Sequence, residues 1–304
     1  MSARGGGYRY AFHDGRWLDA GAATIGMASL GMRYALSVFE GLRLYRGSDG
    51  VVRPFRLDEH LRRLADSLVL TRLPMPAGVE LADVITELSR RNNVHEDAYV
   101  RIAVSAGNPG LMGDEAYPLL TVTVTKMGRK RWLAANEGMR LQISGWQRAA
   151  EESFPAAAKN ISGYAGPRLA LLAARDAGYD SCVLTNRHGR LAEAPTAALV
   201  VIRDGVLSTP SLSEGVLPSI TRRWALDTAA ELGISVVEGP VGRTDAYLAD
   251  EAFLCGTGIE IAPVRSFDHV SCRCWPAAPM TRTLIQRYFQ DARAIPAAAG
   301  RRAA

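Results

Sequence analysis

Apolar residues recur every three or four positions between residues 57 and 70, where Leu57, Leu61, Leu64 and Leu68 line one side of LDEHLRRLADSLVL. That spacing predicts an amphipathic helix, and Asp58 and Glu59 in its first turn suit the positive end of the helix dipole. Leu81, Val84, Ile85 and Leu88 repeat the pattern and predict a second helix over about 79 to 91. The period then changes. In YVRIAVS, Tyr99, Arg101 and Ala103 alternate with Val100, Ile102 and Val104, which is the two-residue period of a strand, so Tyr99 and Arg101 point the same way. LLTVTVT at 119 to 125 reads as another strand, and the charged KMGRKR stretch after it reads as a solvated connection between domains.

In the second half, MRLQISGW near 139 to 146 predicts a strand, and a helix near 164 to 177 stops at Gly178. SCVLTN, RLAEA, AALVVI and VLSTP, with turns at Asn186 to Gly189 and at Arg203-Asp204-Gly205, predict a mostly antiparallel set of strands. A helix from about Ser219 to Leu232 ends before Gly233 and is followed by ISVVEG. A short helix near 245 to 249 precedes AFLC and the Gly256-Thr257-Gly258 turn. No internal repeat appears, and the alanine- and arginine-rich stretch after about residue 294 is expected to fray.

With 304 residues, 48% hydrophobic and 22% charged, the chain can fill one large or two medium cores. No apolar run approaches the roughly 20 residues of a membrane helix. The start, MSARGGGYRYAFHDG, lacks the order of a secretory signal, so no membrane and a cytoplasmic home are expected. The net charge of +5 comes largely from scattered arginine, with no basic cluster interleaved with aromatics. Nucleic acid is therefore not an expected partner, and an anionic small molecule fits better. Four cysteines suit a reducing compartment; Cys272 and Cys274 have no second pair and no adjacent histidine, so no metal is expected.

Of 36 lysines and arginines only three are lysine: Lys126, Lys130 and Lys159. The first two lie in the charged stretch, whereas Lys159 sits among small residues between FPAAA and NISGY. An amine can form a Schiff base with an aldehyde and, when desolvated, move protons near neutrality, neither of which arginine does. An incidental surface lysine is the plain alternative. Glu193 in RLAEAPTAAL is an acid among small apolar residues that needs a partner, and a cationic heterocycle would serve. Tyr164 faces either the core or a ligand oxygen, and Arg63 borders the apolar stripe of its helix, an ordinary place for an exposed salt bridge. The helix start at Pro218 and Ser219 offers free amides to an anion, and Gly256-Thr257-Gly258 allows close backbone approach to one. Each is common by itself.

The order of these pieces resembles the class IV pyridoxal-phosphate aminotransferases, most closely the branched-chain amino acid aminotransferases. The resemblance runs through SVFEGLRLYRG (37 to 47), FRLDEHLRRL (55 to 64), YVR (99 to 101) and AAAKNISGY (156 to 164). It continues through AEA (192 to 194), GVLPSITR (215 to 222) and YLADEAFLCGTGIEIAPV (247 to 264). It implies an α+β, two-domain enzyme of fold type IV, like D-amino acid aminotransferase. A small α/β domain (1 to 130) and a connection (131 to 136) would precede a larger, mostly antiparallel β domain with helices (137 to 304).

For the site, the resemblance implies pyridoxal 5'-phosphate, with Lys159 as the lysine that binds it covalently and Glu193 as the carboxylate on its ring nitrogen. Tyr164 would bond the ring oxygen, and Arg63, the backbone at Ile220 and Thr221, and Thr257 would seat the phosphate. Tyr34, Phe39, Tyr99, Arg101 and Gly258 match substrate-pocket positions. An amino acid and a 2-oxo acid would be the substrates, with Arg101 receiving an acidic cosubstrate. A homodimer with a shared site is implied, in which the Gly107 to Gly113 segment is the candidate for reaching the partner. Departures bear on the substrate: APTAAL follows Glu193, Ile102 stands where a proline commonly follows YVR, and Met32 and Arg33 precede Tyr34. Trp132 is the candidate for the aromatic expected in the connection. Rival readings are a D-amino acid or R-selective amine transaminase, aminodeoxychorismate lyase, and a noncatalytic phosphate-ligand binder.

Overall fold

The computed structural model describes residues 7–134 and 137–295. Part of the expected connection and the stretch expected to fray, apart from residue 295, lie outside the described residues. Six strands form the first sheet: β1 (Tyr10–His13), β2 (Arg16–Asp19), β3 (Ser37–Arg46), β4 (Val52–Pro54), β5 (Ala98–Ala106) and β6 (Pro118–Lys126). Their order is β2-β1-β6-β5-β3-β4, antiparallel throughout. A short helix, α1 (Leu30–Tyr34), enters β3, and α2 (Leu57–Thr71) and α3 (Leu81–Arg91) follow β4. Both longer helices begin within two residues of the expected points and place their leucines in one core with Leu42, Leu44, Val100, Ile102 and Val104.

The alternation in β5 sorts its two faces as the pattern predicts: Val100, Ile102 and Val104 are fully buried in that core, while Tyr99, Arg101 and Ala103 look the other way. β3 carries no such signal, because its first nine residues are all buried. One face packs on α2 through Leu42 and Leu44, and the other turns Phe39, Gly41, Arg43 and Tyr45 toward the second sheet.

After α4 (Arg131–Ala134) the second sheet begins with β7 (Met139–Gln147), and a helix, α5 (Ala165–Asp176), separates it from β8 (Ser181–Thr185). The short β9 (Glu193–Ala194) leads to β10 (Ala197–Arg203) and β11 (Val206–Pro210); α6 (Ile220–Glu231) precedes β12 (Ser235–Gly239). Next come α7 (Arg243–Tyr247), β13 (Glu251–Gly256), β14 (Glu260–Phe267), β15 (Val270–Ser271) and α8 (Pro279–Ala292). The order β12-β11-β10-β13-β14-β7-β8 is antiparallel through its centre from β11 to β14. Its flanks are parallel, β11 with β12 on one side and β14, β7 and β8 on the other, because helices return the chain between those strands. Strand β10 explains the unbroken apolar run AALVVI: Leu199 and Val201 pack into one core, and Ala198, Val200 and Ile202 pack into another under α6 and α8. Among the described residues no helix is long and apolar enough to cross a membrane.

Candidate active site

A cavity of about 980 Å³ opens between the two sheets, and Lys159, Tyr164, Glu193, Arg63, Phe39, Tyr99, Arg101, Thr257 and Gly258 all line it. That volume lies within the range of sites that enclose a small ligand. Lys159 is on no helix or strand, yet its backbone is fixed twice: its N–H donates to Ser67 Oγ on α2 at 3.0 Å, and its carbonyl accepts from Phe39 N–H on β3 at 2.9 Å. Ser67 Oγ in turn donates to the Arg63 carbonyl. The small residues before Lys159 allow this close approach, since Ala156 and Ala158 are buried.

The Lys159 amine donates to Tyr164 Oη at 2.9 Å and lies 4.8 Å from the centre of the Phe39 ring. Burial, then the charge of Arg63, pulls its pKa down to about 8 despite the opposing carboxylates of Glu40 and Glu193. Tyr164 closes a single 3₁₀ turn before α5, and burial followed by Glu193 raises its phenol to about 12, so it keeps its proton at neutrality. The Phe39 ring packs on Tyr164 at 5.3 Å, and the Arg101 guanidinium lies 3.8 Å from the centre of the same ring. Burial raises the Tyr99 phenol, while Arg101 opposes the rise. Gly41 makes room for it, because a Cβ there would run into the Tyr99 hydroxyl.

Glu193 meets Arg148 Nε at 3.0 Å through one oxygen and accepts from Leu217 N–H at 3.2 Å through the other. Burial still raises its pKa, so a further positive group beside it would be welcome. Arg63 is buried, and three of its donors are committed: two to Glu40 at 2.7 and 2.9 Å and one to the Pro218 carbonyl at 2.9 Å. Burial alone would raise Glu40, but Arg63 and hydrogen bonds from His60 and Arg63 hold it at about 2. This buried triad pins a cation at the start of α6, where Ser219 caps the helix by accepting from Arg222 N–H. Ser219 lines the cavity, whereas the next two residues, Ile220 and Thr221, expected to seat the phosphate through their backbone, are buried and do not line it. Thr257 completes that wall, and a Cβ on the preceding Gly256 would press on the Thr196 carbonyl at 3.3 Å.

Three placements differ from expectation. Tyr34 ends α1 beneath the Arg33 guanidinium and does not line its own chain's cavity. Lys126 is an exposed partner of Glu96 as expected, but Lys130, four residues on, lines the cavity with Met127 and Trp132. Arg63 is not an exposed salt bridge but a buried one. Sequence reasoning missed Glu40, His60 and Arg148. Glu40 had a signal, an acid next to the apolar pair Val38-Phe39 and two residues before Leu42, akin to the clue that picked out Glu193; Arg148, one arginine among 33, had none.

An amine and a phenol in contact, a carboxylate seeking positive charge, and a braced cation at a helix start together fit pyridoxal phosphate: aldehyde, ring oxygen, ring nitrogen and phosphate each find a matching group. Among the described residues no group of three or more His, Cys, Asp or Glu side chains is placed to hold a metal ion. The model of the amino-transferase class IV family matches residues 37–267. The chain belongs to that family. Within it, the branched-chain-amino-acid aminotransferase of Salmonella typhimurium is 36% identical over 280 residues, covering 90% of this chain and 89% of that protein. A crystal structure of the Thermobaculum terrenum branched-chain amino acid aminotransferase in its PLP form has a TM-score of 0.85 at 30% identity, covering 95% of each chain. That of the branched-chain aminotransferase from the archaeon Thermoproteus uzoniensis with norvaline has a TM-score of 0.85 at 31% identity, covering 93% of this chain and 94% of that one. These relatives favour the branched-chain line over the D-amino acid, R-amine and lyase readings.

Proposed function

We propose that this protein is a pyridoxal-phosphate aminotransferase that moves the amino group of a branched-chain or other hydrophobic L-amino acid to 2-oxoglutarate by a ping-pong sequence. The observation that carries the reading is the Lys159 amine, 2.9 Å from the Tyr164 hydroxyl, in a cavity that also holds Glu193 and Arg63. When bound, the cofactor supplies a sink for the electron pair left by the departing α-proton. The chain's own residues do the rest. With a pKa of about 8, Lys159 both accepts and returns a proton near neutrality, as a general acid-base group must. Tyr164 orients that amine, and Glu193, steadied by Arg148 and Leu217 N–H, provides the negative charge for a protonated ring nitrogen. Arg63, the first amides of α6 and Thr257 receive the phosphate. Phe39, Tyr99, Arg101 and Gly258 bound the substrate.

In this reading the two sheets with their helices are two domains, 1–130 and 137–304, joined by 131–136. The working assembly is a homodimer. Leu111 and Met112 are about two-thirds exposed on the segment from Gly107 to Gly113, which Arg33 holds by donating to the Gly110 carbonyl at 2.8 Å. Covering that segment with a second copy would bury these side chains and carry Tyr34, which adjoins it, toward the partner's cavity. Four free cysteines, three of them buried, accord with a cytoplasmic protein.

The test is amino transfer from L-leucine to 2-oxoglutarate by the holoenzyme and by Lys159→Ala. The variant is expected to lose at least about a thousandfold in rate, within the range for a removed proton-transfer group. Activity within about tenfold of the wild type would defeat the reading.

A further inference from the structure

Taking the cavity as a transaminase site, we propose that Lys130 is a specificity-determining residue that selects substrates carrying a second, distal carboxylate. Lys130 is half-buried in the cavity wall beside Met127 and Trp132, and among the described residues no hydrogen bond or ion pair holds its amine. Two charged groups act on it, Arg43 and Glu260. They are already engaged with each other: Arg43 Nη2 lies 3.1 Å from Glu260 Oε1, and Tyr45 Oη donates to the same oxygen at 2.9 Å. Two cations thus share one carboxylate, and the wall keeps an uncompensated positive charge. A desolvated amine without a partner is costly, and an incoming carboxylate relieves that cost. Burial, then Arg43, lowers the Lys130 pKa, as expected for an amine in this setting.

The strand register says which end of the cavity this amine occupies. Across β3 and β5, Phe39 pairs with Ala103, Gly41 with Arg101, and Arg43 with Tyr99. The Lys159 amine lies over Phe39, whereas Lys130 belongs to the Arg43 end, four residues or ~13 Å along the strand. A substrate whose α-carbon is at Lys159 and whose side chain runs along the wall of Gly41 and Tyr99 approaches Lys130, since all three residues line the cavity. A branched aliphatic side chain meets Met127, Trp132 and Ile259 there and leaves the amine bare; a distal carboxylate pairs with it. Lys130 thus favours the dicarboxylic partner of the exchange, independently of Arg101, whose guanidinium is stacked on Phe39.

The experiment titrates wild-type holoenzyme, Lys130→Met and Lys130→Arg with glutarate and with 4-methylpentanoate by calorimetry, and reads the ratio of the two affinities. Lys130→Met is expected to lower the glutarate preference by at least about tenfold, roughly 1.4 kcal/mol. Lys130→Arg, which keeps the charge, is expected to retain most of it. The ratio of kcat/KM for L-glutamate to that for L-leucine should fall in parallel. Equal weakening of both acids in Lys130→Met, or no change in the ratio, would overturn the proposal. Amino transfer by the wild type is measured separately; if it failed with every amino acid, the transaminase reading would fall while the glutarate ratio still decided the role of Lys130.

Discussion

At the Lys159 end of the cavity each reactive group is braced from elsewhere in the chain: Lys159 by Ser67 and Phe39, Glu193 by Arg148 and Leu217, Arg63 by Glu40 and Pro218. At the Lys130 end the wall is made by a connecting segment, and its amine has no such brace among the described residues. The difference follows from what each end must do. Proton transfer and charge balance are common to every substrate, and they tolerate little misplacement. Side-chain recognition must suit at least two different partners in a ping-pong exchange, so its groups keep room to adjust.

The braced end should break most severely when a brace is removed. Glu40→Gln leaves the buried Arg63 charge without its partner and is expected to cost about 3–5 kcal/mol of stability in denaturant unfolding. Its sign with pH is fixed by the depressed pKa of about 2: the contribution is full above the ordinary carboxylate value of 4.5 and is lost as pH falls toward 2. A shift well below 1 kcal/mol would mean that the triad is incidental.

Glu193→Gln keeps the shape but removes the charge beside the ring nitrogen and strands Arg148. A fall in kcat of about 10²- to 10³-fold is expected, the scale of losing one well-placed electrostatic group. Unchanged turnover would remove Glu193 from its role.

A further expected effect is a pH dependence of the apoprotein. Lys159 has a folded pKa of about 8 against 10.5 for the free side chain, so below pH 8 folding must bury a cation. Between about 8 and 10.5 the unfolded chain holds a proton that the folded chain has released, so stability gains from this group as pH rises through that window. Lys159→Met should flatten the rise, and identical profiles for the two proteins would contradict the placement of the amine.

Much of this was legible beforehand, for physical reasons that differ by residue. Lys159 stood out because arginine carries nearly all the other positive charge, and Glu193 because an acid in an apolar run demands a partner. The helices at α2 and α3 and the faces of β5 followed from half-burial, which writes a period into the sequence. β3 was not readable as a strand because burial on both faces erases the alternation. Lys130 was misread because a run of charges looks solvated whether or not one member turns inward. The parallel flanks of the second sheet depend on how α5 and α6 return the chain, which no local pattern records.

The most direct measurement is borohydride reduction of the holoprotein followed by peptide mass spectrometry, since the chain offers only three lysine side chains. The account requires a single pyridoxyl adduct, on the peptide containing Lys159. An adduct on Lys126 or Lys130 instead, or no adduct on a protein that still transfers amino groups, would contradict it.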